Sequence, residues 1–416
     1  MNDYRVIRVF EHERLSIGSK GFEKRHWELL ARWAASREER YLEVWHGSVK
    51  FLQWVGVIEV EGLVIEVLPK AESKLSGGDE EKLAEKWRRI LVDLLGKAYH
   101  INLRGLDDAS IGIQRRTLLD LLFERYLDAI ERLIVEGLVK RYRGIIKDRN
   151  AVKGRIDHIG NIRMNVAHAE RIRTFAFEYD RVNTLNLIIR AAVDATASFA
   201  PSAFTRARAK SIGLYFADWP AKAITISDFL AVRYDRKTEG YRTAIRLARL
   251  ILGKQNPDLT HGKEKVFSML FDMNDLWEKA VLYRLKRECV KNGSVKIRGQ
   301  SYKVFWRAET GTIKTLRPDI VMERPDGTVV VVDTKWKILT AAIPGDQDLR
   351  QIYAYEALWK AFDGFLLYPQ TAECGEGNGS YSVRVDEKIA RCGVLFAQVD
   401  PKQWGQDLLL ERMGLV

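Results

Sequence analysis

The sequence predicts an α+β chain of several domains: a β-rich N-terminal domain (residues 1–110), a mainly helical middle region with a basic surface (111–262), and a C-terminal α/β domain whose mixed sheet is flanked by helices (263–416). Three observations carry this. Residues 4–18 and 53–70 alternate apolar with charged side chains, the period of a strand. Much of 79–252 repeats apolar residues at helical spacing. After 262, strand-like runs and helical runs alternate.

At the N-terminus, Tyr4, Val6, Ile7, Val9 and Phe10 interleave with Arg5, Arg8 and Glu11, which predicts a strand. Residues 20–40 read as a helix with Trp27, Leu30, Ala31 and Ala34 on one side. Gln53 to Lys70 is a hairpin turning at Glu61-Gly62 and ended by Pro69. No chemistry is expected of this domain. Ser73 to Gly78 reads as a loop, and Asp79 as the N-cap of a helix to about Leu95.

Residues 115–139 predict a further helix, with Leu118, Leu119, Leu121, Leu122, Tyr126 and Leu133 on its apolar face. It leads into Lys140, Arg141, Arg143, Lys147, Arg149, Lys153 and Arg155. That stretch is either a solvated basic loop or a phosphate-contacting surface, with Arg141, Arg143 and Lys147 as its DNA-binding candidates. Gly154 to Asp157 reads as a polar connector and 222–232 as irregular to extended. Helices are expected over Thr184–Phe199 and Tyr241–Leu252. Gly253 to Gly262 is the best linker.

The C-terminal domain centres on Leu316 to Lys335. Ile320 to Met322 and Val329 to Val332 are two strands joined by Arg324-Pro325-Asp326-Gly327, which is strong turn chemistry. Asp319 opens the first strand; Asp333 and Lys335 end the second, two apart and so on one face. A helix from Asp275 carries Glu278, and a helix from Asp348 carries Gln351 and Tyr355 at i and i+4. Asp363 to Pro369 is a closing strand.

The 416 residues are 46% hydrophobic and 30% charged, as in soluble globular chains. A net charge of +12 and a pI near 9.4 favour a polyanionic partner. Cys289, Cys374 and Cys392 are too few and too dispersed for a disulfide framework, which suits a reducing, cytoplasmic compartment. No Cys/His spacing suggests zinc. Met1-Asn-Asp-Tyr-Arg is unlike a signal peptide, and no apolar run reaches membrane-spanning length.

Two carboxylates and an ammonium gathered at one sheet end suit metal-dependent phosphodiester hydrolysis. Mg²⁺ is commonly held by one or two carboxylates with waters and phosphate, and it acidifies a bound water. The bland reading is a hairpin with solvated ends, because Asp-x-Lys alone is common. A Pro-Asp opening one strand, with acidic-x-Lys closing an apolar partner strand, is much rarer. Pro318-Asp319…Asp333-Thr334-Lys335 resembles the PD-(D/E)xK nuclease signature, and Gln351…Tyr355 resembles the Q-x-x-x-Y element of RecB-like nucleases. Glu278 matches the Glu that such nucleases often add from the helix before the sheet; the bland alternative is a solvated helix carboxylate.

A wider set of stretches is similar to the McrC family, the nuclease subunits of McrBC modification-dependent restriction systems. The set comprises Val55-Gly-Val-Ile, Ile65 to Lys70, Gly154 to Asp157, Phe177 to Asp180, Thr184-Leu-Asn186, Asp272-Met-Asn274 and the nuclease motif, in the family's order along nearly the whole chain. The family's usual Phe before the Glu is Trp277 here. The resemblance implies a type IV, Mg²⁺-dependent restriction endonuclease, with Mn²⁺ able to substitute. Its 263–416 domain would be a PD-(D/E)xK nuclease domain acting on double-stranded DNA that carries modified cytosine. It further implies an McrB-like hexameric AAA+ GTPase partner, bound and stimulated through the N-terminal region. Consistently, the chain has no G-x-x-x-x-G-K-[ST] of its own. In this reading Asp319 and Asp333 hold the metal, and Glu278 adds a ligand or an outer contact. Lys335 assists the attacking water, while Gln351 and Tyr355 shape the DNA-backbone side. The competing readings are a stand-alone RecB-like repair or recombination nuclease, and a non-catalytic adaptor that activates a ring NTPase.

Overall fold

The computed structural model describes residues 4–69, 80–103, 117–168, 170–253, 266–292, 295–339, 341–370, 376–385 and 388–415. The expected loop at 73–78, the Asp79 cap, the linker at 254–262, residues 115 and 116 of the expected helix and Cys374 lie outside these residues.

The chain begins with β1 (Arg5–Phe10), β2 (Arg14–Ser16), α1 (Lys24–Ala35), β3 (Leu42–Trp45), β4 (Ser48–Phe51), β5 (Trp54–Val60), β6 (Leu63–Leu68) and α2 (Glu80–Ala98). The turn between β5 and β6 has positive φ at both Glu61 and Gly62, the twist that suits a two-residue hairpin. Then come α3 (Leu118–Glu136), β7 (Arg141–Arg149), β8 (Arg155–Ile156), α4 (His158–Asn165), β9 (Ile172–Asp180), α5 (Thr184–Phe199), α6 (Ala203–Gly213), α7 (Ile226–Leu230) and α8 (Tyr241–Ile251). The last third holds β10 (Val266–Asp272), α9 (Met273–Asn292), β11 (Lys296–Gly299), β12 (Lys303–Arg307), β13 (Ile313–Leu316), β14 (Ile320–Glu323), β15 (Val329–Thr334), α10 (Asp346–Trp359), β16 (Asp363–Gln370), β17 (Gly377–Val385), β18 (Lys388–Gln398) and α11 (Leu409–Arg412).

This is a mixed α/β architecture with several sheets. It packs as two compact units that interleave along the sequence. One comprises Met1–Arg5, Glu59–Val64 and Leu119–Met269; the other comprises Val6–Ile58, Ile65–Leu118 and Leu270–Val416.

In the first unit, the basic stretch after residue 140 is not a loop. It is strand β7, paired antiparallel along its length with β9, which also pairs with β8. Gly154 permits this, since at φ +77° a Cβ would lie 2.3 Å from the Phe175 carbonyl oxygen. Asp157 then caps α4 by accepting from the Gly160 N–H at 3.0 Å. Residues 226–230, expected to be irregular, form α7, started by a capping box of Thr225 and Asp228.

The second unit holds a six-stranded mixed sheet in the order β11-β14-β15-β16-β18-β17. β15 pairs antiparallel with β14 and parallel with β16. Val330, Val331 and Val332 are fully buried, worth about 2 kcal/mol each in removed apolar surface. Val331 joins Val321 and Ile352, Tyr355 and Trp359 of α10 in one apolar cluster. Strand alternation turns Val330 and Val332 to the opposite face.

Candidate active site

That alternation decides where the polar residues go. Asp333 and Lys335 share parity with Val331, and Asp319 shares parity with Val321, so all three are directed to the α10 side. The β14–β15 register pairs Ile320 with Val332; carried one step further it sets Asp319 opposite Asp333. Like charges directly opposite in a sheet repel, so nothing in the packing alone favours this pair.

The surrounding bonds hold the pair in place. Asp319 Oδ2 accepts from both the backbone N–H and the hydroxyl of Thr334, each at 2.7 Å. Lys335 Nζ stands 2.5 Å from Asp333 Oδ2 and donates to Gln351 Oε1 at 2.9 Å. Gln351 Nε2 in turn donates to the Tyr355 hydroxyl at 2.7 Å, so one helix face fixes the lysine and the phenol together. Asp333 Oδ2 is buried, and among the described residues its close polar contact is the Lys335 ammonium, which is poorly aligned for a hydrogen bond.

The electrostatics follow from this crowding. Burial first, then the Asp319 charge, pushes the Asp333 carboxyl up to about 7, against the opposing pull of Lys335. Burial, and secondarily Asp319, raises Glu278 as well. Burial pushes the Tyr355 phenol up to about 12, so it stays protonated at neutral pH. Glu278 enters through Gln300, whose amide donates to Glu278 Oε1 at 2.8 Å while its backbone N–H donates to the Asp319 carbonyl at 3.0 Å.

The structure therefore brings together Asp319, Asp333, Lys335, Gln351 and Tyr355, with Glu278 joined through Gln300. Arg141, Arg143 and Lys147 lie in the other unit, on exposed β7. There Arg143 pairs with Asp180 at 2.8 Å and Arg141 with Asp235 at 3.9 Å.

Sequence reasoning missed four contributors. Gln300 and Thr334 sit in loop and strand-end positions with no motif of their own. Arg317, two residues before Asp319, adds positive charge toward Glu278 and Asp319, a role its place beside the Pro-Asp could have suggested. Trp336 packs against buried Trp277, the neighbour of Glu278, with ring centroids 5.4 Å apart and the planes tilted by 58°. Its indole N–H donates to Glu11 at 2.7 Å, a residue 325 positions away.

The donor set fits a hard divalent cation. Two adjacent carboxylates, one with a buried oxygen lacking an aligned donor, are what Mg²⁺ needs alongside water. Among the described residues no group of three or more His, Cys, Asp or Glu is arranged to hold a metal ion by itself.

A mixed α/β chain with a carboxylate–carboxylate–lysine cluster at one end of its sheet is the class that fold and site define. The McrBC 5-methylcytosine restriction system component family matches over residues 49–369, and the chain belongs to that family. No curated protein matches it. Its fold is similar to that of a chain in the refined half-complex from a tetradecameric assembly of Thermococcus gammatolerans McrB AAA+ hexamers with bound McrC, at 17% identity and a TM-score of 0.63 over 98% of both chains. The cryo-EM structure of the Thermococcus gammatolerans McrBC complex matches at 17% identity and a TM-score of 0.49, over 68% of this chain and 88% of that one. Among the described residues no helix is long and apolar enough to cross a membrane.

Proposed function

We propose that this chain is the McrC-type endonuclease subunit of a modification-dependent restriction complex, cutting DNA with Mg²⁺ and stimulating an McrB-like AAA+ GTPase. The observation that carries the reading is the convergence of Asp319, Asp333 and Lys335 on one face under Gln351 and Tyr355. The partner is inferred from family membership and from the solved structure of shared fold, which is described as McrB AAA+ hexamers with bound McrC.

In this mechanism Asp319 and Asp333 would hold the metal, and Glu278 contributes as a ligand or through an outer contact. Bound Mg²⁺ supplies charge stabilisation at phosphorus and a more acidic water. Lys335, held by Asp333 and Gln351, offsets charge on the phosphate and orients the attacking water. Tyr355 accepts from Gln351 and keeps its own proton for a further acceptor on the DNA-backbone side.

The test uses the assembled complex. Asp319→Ala, Asp333→Ala and Lys335→Ala should each cut cleavage on the order of a thousandfold or more, with partner binding and GTPase stimulation kept. Cleavage should stop on chelation and return with Mg²⁺ or Mn²⁺. Full cleavage by Asp333→Ala would sink the assignment.

A further inference from the structure

Between β11 and β14 the chain leaves the six-stranded sheet. Gly299 pairs with Ile320, and between them β12 and β13 form a separate two-stranded hairpin. This hairpin rises from the candidate site itself. At its incoming foot, Gln300 touches both Glu278 and the Asp319 backbone. At its outgoing foot, Arg317 precedes Asp319 and lies 5.9 Å from the Tyr302 ring centroid. Lys303 ties the incoming strand to the end of α10, donating to the Leu358 carbonyl at 3.0 Å and lying over the Trp359 ring.

Beyond those anchors the hairpin is exposed in a way that burial in the monomer does not explain. Every residue of β12 is exposed, including Phe305 at 59% and Trp306 at 52%. A register break between Val304 and Trp306 inserts Phe305, so two aromatic residues adjoin opposite Lys314. From Tyr302 to Arg317 the basic residues Lys303, Arg307, Lys314 and Arg317 face a single acid, Glu309. Among the described residues neither Arg307 nor Lys314 forms an ion pair.

We propose that the β12–β13 hairpin is a DNA-gripping arm. Arg307 and Lys314 hold backbone phosphates beside the scissile bond, and Phe305 and Trp306 lie against the sugar and base edges. The occupant is double-stranded DNA, because the surplus of positive charge is complementary to a polyanion and the arm is continuous with the residues that would cut it. The inference rests on the nuclease reading.

Binding of the full chain to a labelled duplex is followed by fluorescence anisotropy across a salt series, with divalent metal chelated so that nothing is cut. Arg307→Ser with Lys314→Ser should reduce the slope of log affinity against log salt by roughly two and weaken binding at low salt about tenfold or more. Arg307→Lys with Lys314→Arg should restore both, and an unchanged unfolding midpoint shows that the Ser variant is folded. In the assembled complex with Mg²⁺, the Ser variant and Phe305→Ser with Trp306→Ser should raise KM for DNA while kcat at saturation holds. Unchanged slope and KM, with normal cleavage, overturn the arm and leave the nuclease reading intact. Unchanged slope with loss of the AAA+ partner or of self-association makes the hairpin a protein-docking surface, and also overturns it. Full cleavage by Asp333→Ala sinks the nuclease reading instead, and a reduced slope in the Ser variant would then still assign the arm to DNA.

Discussion

Asp319 and Asp333 face each other at the strand ends, and α10 carries a further buried carboxylate beside β16. Glu356 on α10 is fully buried, and among the described residues neither of its carboxylate oxygens has a hydrogen-bond partner. A Cβ on Gly364 would lie 2.4 Å from Glu356 Oε1, so the adjacent strand makes room only by carrying glycine there. Burial first, then Asp363, pushes the Glu356 carboxyl up to about 8. The unfolded chain releases this proton at an ordinary carboxylate pKa, so between about 4.5 and 8 the folded state binds more protons and stability falls as pH rises. Glu356→Gln should therefore raise the unfolding midpoint little at pH 5 and most above pH 8. A midpoint gain that is constant across pH would rule this out. Among single residues, Gln351 and Tyr355 were legible because i, i+4 spacing alone puts them on one face. Gln300 was not, because its role depends on where β11 and β14 meet, which sequence spacing does not encode.

At the scale of elements, β15 carries an apolar run into the candidate site. Its alternation sends Val331, Asp333 and then Lys335 to the α10 side, where Gln351 and Tyr355 wait on consecutive turns. The helix therefore acts as a template for the lysine. Removing the amide in Gln351→Leu should leave the fold intact but slow cleavage roughly 10–100-fold, in line with losing an outer-sphere orienting group. Tyr355→Phe should cost less, since the contact between Lys335 and Gln351 survives it. A Gln351→Leu rate equal to wild type, measured under single turnover, would show that Lys335 needs no such support. Strand and helix periods made β14, β15, α5, α9 and α10 readable from the sequence. The β7–β9 pair was harder, because a strand with exposed residues on both faces has no buried period to announce it.

For the molecule as a whole, the notable contact joins the end of the first strand to the segment that follows β15. Glu11, just after β1, is 1% exposed and accepts from Trp336, the residue after Lys335. Close by in sequence to Glu278, the Met273 N–H donates to the Gln53 carbonyl at 3.0 Å. A fragment beginning at residue 263 keeps every proposed catalytic residue but loses both partners. It should unfold at a lower temperature than the full chain and cleave DNA feebly even with Mg²⁺, and co-expression with 1–252 should recover part of both. A fragment as stable and active as the intact chain would refute this. The Trp336–Glu11 hydrogen bond also bears on how segments of this chain could be exchanged. A segment lifted from the C-terminal third and grafted onto another protein would arrive without the N-terminal residue that holds Trp336, so changes in surface loops should be tolerated more readily than exchanges of whole segments.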